Sequence, residues 1–163
     1  MEITEIPFNS TVGLERSPSP NQGLLKLNDS PSYHNHLGTV HAAAQSALAE
    51  ACSGEYLLRR FPEMVSGHIG TVRKEQVMFR EPARGELHAH GLMSEETIRT
   101  LETDIGNRGR AFTEITVDVT DSHGVVTMTV VFQWYVQALE VPTVNATISG
   151  HAAGTHKGVM PDE

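Results

Sequence analysis

The chain carries one cysteine, Cys52, in 163 residues, so no intrachain disulfide can form, and no Cys-x-x-Cys element is present for metal or redox work. That usage suits a reducing compartment, and a cytoplasmic location is expected. Cations are scarce as well. Twelve Lys and Arg stand against 20 Asp and Glu, which gives a net charge of -8 and an isoelectric point near 5.5. With no basic run to segregate charge, binding to a nucleic-acid backbone is disfavoured. Aromatic residues make up 6% and hydrophobic residues 39%, so the interior must be built largely from aliphatic side chains and alanine. Long apolar runs are missing too. The most apolar stretch, Val125 to Leu139, is interrupted by Thr127, Thr129, Gln133 and Gln137 and is too short to span a bilayer. Met1 to Asn9 contains two glutamates and no basic segment leading into an apolar one, so neither a secretory signal nor a membrane partner is expected.

The length suits one domain, placed at residues 1–141. The stretch 142–163, with Pro142, Gly150, Gly154, Gly158 and Pro161, is expected to be a loosely ordered tail. The turn-forming cluster Ser17-Pro18-Ser19-Pro20-Asn21 lies between Val12-Gly13-Leu14 and Leu24-Leu25-Lys26-Leu27, which predicts a hairpin of two short strands. From Thr39 or Val40 the composition turns helical, with Ala42, Ala43, Ala44, Ala47, Leu48, Ala49 and Ala51. Small apolar residues occupy nearly every face of this helix, which predicts burial all round. Gly54 offers a possible stop, and Tyr56 to Phe61 offer another turn before Pro62.

Period-two patterning follows. Ser66 to Arg80 reads as a long strand with Ile69, Thr71, Arg73 and Glu75 on one parity, and Leu87 to Leu92 as a second strand. Ser94 caps a short helix ending near Gly106, and strands at Ala111 to Thr120 and Val125 to Leu139 flank the Asp121-Ser122-His123-Gly124 turn. The predicted fold class is α+β, an antiparallel sheet wrapped around one long central helix.

The segment Asn35-His36-Leu37-Gly38-Thr39-Val40-His41-Ala42-Ala43-Ala44 has the chemistry of an oxyanion site. A helix starting here directs unpaired N–H groups, such as that of Ala42, and the positive end of its dipole toward the loop that holds Asn35. Gly38 lets the backbone come close to a ligand. An ordinary capped helix start has the same residues. Glu50 is the odd carboxylate in a small apolar helix, and such a group must be paired, near solvent or functional. Nine residues separate His41 from Glu50, about 13–14 Å along a helix, so the two cannot meet within one chain. A shared site therefore requires a two-fold homodimer, with a dimer of dimers as a further possibility.

The pattern Asn35-x-x-Gly38-x-x-His41-x8-Glu50 resembles the loop and central helix of hotdog-fold acyl-CoA thioesterases of the 4-hydroxybenzoyl-CoA type. The string Asn35 to Ala42, with Ile6-Pro7-Phe8-Asn9 and Val12-Gly13-Leu14, is closer still to an uncharacterised subgroup of that superfamily. The resemblance implies a hotdog fold and an acyl-CoA or acyl-carrier-protein thioesterase without a cofactor. It implies that Asn35 helps bind the thioester carbonyl or orient water, that His41 precedes the helix, that Ala42 gives its N–H to the carbonyl oxygen, and that Glu50 attacks the thioester or activates water. The chain departs from the family in two places: His-Gly-Gly is His41-Ala42-Ala43, and the position one turn after the acid that is often Ser or Thr is Gly54, beside Ser53.

Arg73, Arg80 and Arg84 are candidates for the phosphates of coenzyme A, in a set that also holds Arg59, Arg60, Lys74, Arg108 and Arg110. Two alternatives come from other classes. One is a non-catalytic acyl-thioester binding module. The other is a metal-dependent enzyme built on His88-x-His90 with Glu95 or Glu96, although no metal ligand set is assigned.

Overall fold

The computed structural model describes residues 2–139, so the expected tail at 142–163 lies outside the described residues. Pro7 occupies the first turn of α1 (Pro7–Val12), and Gly13 closes it in the left-handed region at φ 72°. Val12 and Gly13 therefore end a helix and do not begin a strand as expected. The hairpin itself is present: β1 (Leu14–Arg16) pairs antiparallel with β2 (Leu25–Leu27). The central helix α2 (Ala42–Arg60) starts at Ala42, two to three residues later than the composition suggests, because His41 and not Thr39 is its cap. It runs through Gly54 and stops at Phe61, just before Pro62.

A short helix α3 (Met64–Gly67) leads into β3 (His68–Phe79), and β4 (Leu87–Leu92) follows. Ser94 caps α4 (Glu95–Arg108), whose Glu95 and Glu96 suit the positive end of the helix. That helix passes Gly106 and ends at Gly109 (φ 64°). Finally β5 (Arg110–Thr120) and β6 (Val126–Ala138) form the long hairpin.

The six strands make one antiparallel sheet in the order β1-β2-β4-β5-β6-β3. Alternation along β5 buries Ala111, Thr113, Ile115, Val117 and Val119, and this face meets α2 in a core completed by Leu48, Leu57, Phe61, Leu87, Met128, Val130 and Phe132. Contact between helix and sheet is close at Gly91, where a Cβ would come within 2.9 Å of the Tyr56 ring.

The edge strand β3 breaks the expected parity. Val72 pairs with Trp134 and Lys74 with Gln133, which leaves Arg73 as the extra residue of a bulge. Beyond it Glu75, Val77 and Phe79 pair with Phe132, Val130 and Met128, the inward residues of β6. Glu75 is thus on the opposite face from Thr71.

Candidate active site

The loop before α2 is organised by Asn35. Its Oδ1 accepts from the N–H of Leu37 (2.9 Å) and Thr39 (3.2 Å), while Nδ2 donates to Thr39 Oγ1 (2.9 Å). The backbone adds Asn35 N–H to Thr39 O and Gly38 N–H to Asn35 O. Gly38 takes the positive φ of 70° that this reversal needs, with open space where a Cβ would be. The Asn35 oxygen is thus spent on the loop, and one amide N–H is left to point elsewhere.

His41 N–H donates to Tyr33 O, and His41 Nδ1 accepts the N–H of Ala43 at 3.0 Å. Its carbonyl takes the N–H of Ala44 and Gln45. Among the described residues the N–H of Ala42 has no acceptor, and it stands at the positive end of a 19-residue helix. Below it the buried Gln45 donates to Val40 O and accepts from Thr127 Oγ1 of β6, which fixes the helix start to the sheet. Asn35, Ala42, Phe79 and Arg80 line one depression of about 320 Å³ at this end of the molecule. Arg80 is also held to the sheet, donating to Thr129 Oγ1 at 2.8 Å.

Glu50 does not line that depression. From Ala44 to Leu58 it is the one exposed residue of α2. The turn behind it is anchored: Ser53, fully buried, donates to Glu50 O (2.7 Å) and accepts the indole N–H of Trp134 (3.1 Å). Gly54 faces Ile3 and the Trp134 ring, where a Cβ would find ordinary contact at 3.5 Å and beyond. Ser53 and Gly54 therefore support the helix from behind.

All the predicted site residues but Arg84 thus fall into three places. Asn35, Gly38, His41, Ala42 and Arg80 gather at the helix start. Glu50, with Ser53 and Gly54, lies two to three turns along, and Arg73 lines a separate cavity beside Phe112 and Tyr135. Arg84 is exposed in the loop before β4 and joins none of the three.

The metal candidates His88 and His90 do share a face of β4, where His88 Nε2 meets Glu86 at 3.0 Å. No three His, Cys, Asp or Glu among the described residues are grouped to hold a metal. Burial, with His88 close by, holds His90 below the usual histidine range. Cys52 is fully buried, and burial, assisted by the charge of Glu55, pushes its thiol up to about 12, so it stays protonated and inert.

Sequence reasoning missed Glu55, which is 2% exposed and held by Arg16 Nη1 (2.9 Å) and Arg59 Nε (2.6 Å). The four-residue spacing to Arg59 was its one sequence signal. Trp134 and Gln45 gave none beyond their rarity in their segments.

Residues 3–136 match the family described as a domain of unknown function (DUF4442). PA5026 of Pseudomonas aeruginosa, described as a protein of unknown function and probable thioesterase, is 28% identical. It superposes with a TM-score of 0.70 over 84% of this chain and 91% of that one. HI1161 of Haemophilus influenzae, a thioesterase, is 15% identical with a TM-score of 0.61, covering 86% of this chain and 90% of that one. BH2602 of Bacillus halodurans, solved with CoA, is 15% identical with a TM-score of 0.60, covering 79% and 74%. No curated protein matches the chain. Among the described residues no helix is long and apolar enough to cross a membrane. This chain belongs to the DUF4442 family and carries the hotdog fold of the thioesterase superfamily.

Proposed function

We propose that the protein is an acyl-thioester hydrolase that acts as a two-fold dimer, with the α2 start of one protomer facing Glu50 of the other. The observation that carries this is the exposure of Glu50 alone on an otherwise covered stretch of helix. Among the described residues Glu50 lines none of the cavities named above, and the helix start of the same chain is out of reach.

The sheet supplies the means of bringing them together. β3 is an edge strand 12 residues long, with Ile69, Val77, Met78 and Phe79 exposed. A long open edge of this kind is a template for pairing with another chain. Antiparallel pairing about a two-fold axis reverses β3, so the Phe79 end of one copy meets the His68 end of the other. Phe79 stands at the depression with Asn35 and Ala42. The His68 end pairs with the β6 segment carrying Trp134, the residue that anchors the turn behind Glu50.

In this arrangement the free N–H of Ala42 receives the thioester oxygen as charge develops on it, helped by the helix dipole. The spare N–H of Asn35 supports the same oxygen or a water. Glu50 takes a proton from water as that water attacks the carbonyl, and the thiolate leaves to give the free acid. In the direct alternative Glu50 attacks, the thiolate leaves an acyl–Glu50 anhydride, and water hydrolyses that anhydride to the acid and free Glu50. His41 holds the N–H of Ala43 and so leaves that of Ala42 available. The CoA in the BH2602 structure supports an acyl-CoA substrate.

Replacing Glu50 with Gln is expected to lower thiol release from acyl-CoA by about 100-fold or more, with the dimer intact by sedimentation. Undiminished turnover in E50Q, or an active monomer, overturns the proposal. Thermal stabilisation by acyl-CoA with no thiol release from the wild type points instead to a binding module.

A further inference from the structure

Between the helix start and the sheet lies a buried polar pair that the proposed reaction does not use. Gln45, in the first turn of α2, is 4% exposed, and Thr127, near the start of β6, is 0% exposed. Of the four polar residues that interrupt the apolar run of β6, Thr129, Gln133 and Gln137 all reach the surface, and Thr127 does not. Enclosing two polar groups costs desolvation on both sides, and two apolar side chains of the same shape would fill the space at least as stably. What the pair adds is direction, because a hydrogen bond fixes distance and angle where apolar contact does not.

Thr127 holds both walls of the depression at the helix start. Its hydroxyl donates to Gln45 Oε1 at 2.9 Å and lies 3.2 Å from Val119 O of β5. Its carbonyl accepts the N–H of Arg80 at 2.8 Å and of Glu81 at 3.3 Å, just past the end of β3. On the helix side the Gln45 amide turns back to Val40 O at 3.4 Å, and Val40 N–H donates to Ala83 O at 2.9 Å. Gln45 N–H goes to His41 O at 3.2 Å, so the residue that meets Thr127 also grips the helix cap. Val40, Ala42, Gln45, Arg80, Glu81 and Ala83 all line the depression. One residue of β6 therefore sets the spacing between the strand-side wall and the turn of α2 that carries the free N–H of Ala42.

We infer that Gln45 and Thr127 are positioning residues, which aim the Ala42 N–H at the thioester oxygen by locking the first turn of α2 to β6. The inference rests on the hydrolase proposal for what that N–H does. A donor to a developing oxyanion works only when it already points to where the charge will be, and a displacement of about 1 Å can cost about 100-fold in rate. Apolar contact alone would hold the turn as stably but would not fix its position to that tolerance.

The test is the double variant Q45M/T127V, which replaces both partners with apolar groups of nearly the same shape. Its urea midpoint should equal or exceed that of wild type. Its kcat for thiol release from acyl-CoA should fall about 10-fold or more, with KM little changed. T127S keeps the hydroxyl and should keep kcat. Exchange of the Ala43, Ala44 and Gln45 amides, followed by NMR, should quicken about 10-fold or more in the double variant, while that of Leu57 and Leu58 stays as it was. Wild-type kcat in Q45M/T127V overturns the inference and leaves the hydrolase standing. Unchanged exchange in that first turn overturns it as well, as does a loss of folded protein that accounts for the whole fall in activity. Quickened exchange in a protein whose wild type releases no thiol does the reverse, keeping the lock and rejecting the hydrolase.

Discussion

Glu50 and Glu55 are five residues apart on one helix and meet opposite fates. The first is exposed and the second is 2% exposed between Arg16 and Arg59. A carboxylate on a mostly apolar helix must find solvent or a partner, and these two show both solutions. The sequence makes Glu50 conspicuous because its neighbours are Ala and Leu. It hides Glu55, because Arg16 is 39 residues away along the chain. Removing both arginines leaves a buried charge unpaired, so R16A/R59A is expected to lose about 3–5 kcal/mol of stability. E55Q keeps a polar group there and frees two arginines that already reach water, so its loss in urea unfolding should be smaller. Equal losses would show that burial of the side chain matters more than its charge. Asn35 stands out in the sequence through its loop motif, but its use of both Oδ1 lone pairs inside the loop depends on distances that no spacing encodes.

Among the elements, period and propensity revealed α2, α4 and the long strands, because each has a strong internal pattern. They failed where one residue decides. Pro7 and Gly13 turn a short apolar run into α1, and a bulge at Arg73 reverses the faces of β3. Neither leaves a periodic trace. Gly91 is another single-residue decision. It lets α2 settle on β4, with the Tyr56 ring 2.9 Å from where a Cβ would stand and Tyr56 Cβ itself at 3.0 Å. The helix backbone limits how far Tyr56 can yield, so G91A is expected to cost about 1–3 kcal/mol, read as a lower urea midpoint. Gly38, with nothing within 4 Å, carries conformational demand but no such crowding.

For the whole molecule, charge ties folding to pH. His90 is held below its ordinary 6.5 first by burial and then by His88, so the folded state binds fewer protons than the unfolded chain as acidity rises. Its contribution is complete above about 6.5 and declines below it. Glu86 acts in the same direction at lower pH, because its hydrogen bond to Lys26 lowers its pKa from 4.5. The urea midpoint should therefore drop as pH goes from 7 toward 5, and H90N should flatten that drop. An unchanged slope in H90N would assign the acid sensitivity to other groups. Antiparallel order and one enclosed helix were foreseeable from the alternation and the alanine content. The partnership of β3 with a second copy is an expectation of the open edge, and no periodicity could express it.

The extra residue in β3 also sets a reading frame for the sheet margin. Upstream of Arg73 the even-numbered side chains face the helix, and downstream the odd-numbered ones do. A one-residue insertion or deletion elsewhere in that strand would exchange pocket wall for solvent face over half its length. Homologous chains should therefore vary freely in side-chain chemistry along this margin but hardly at all in the number of residues on either side of position 73.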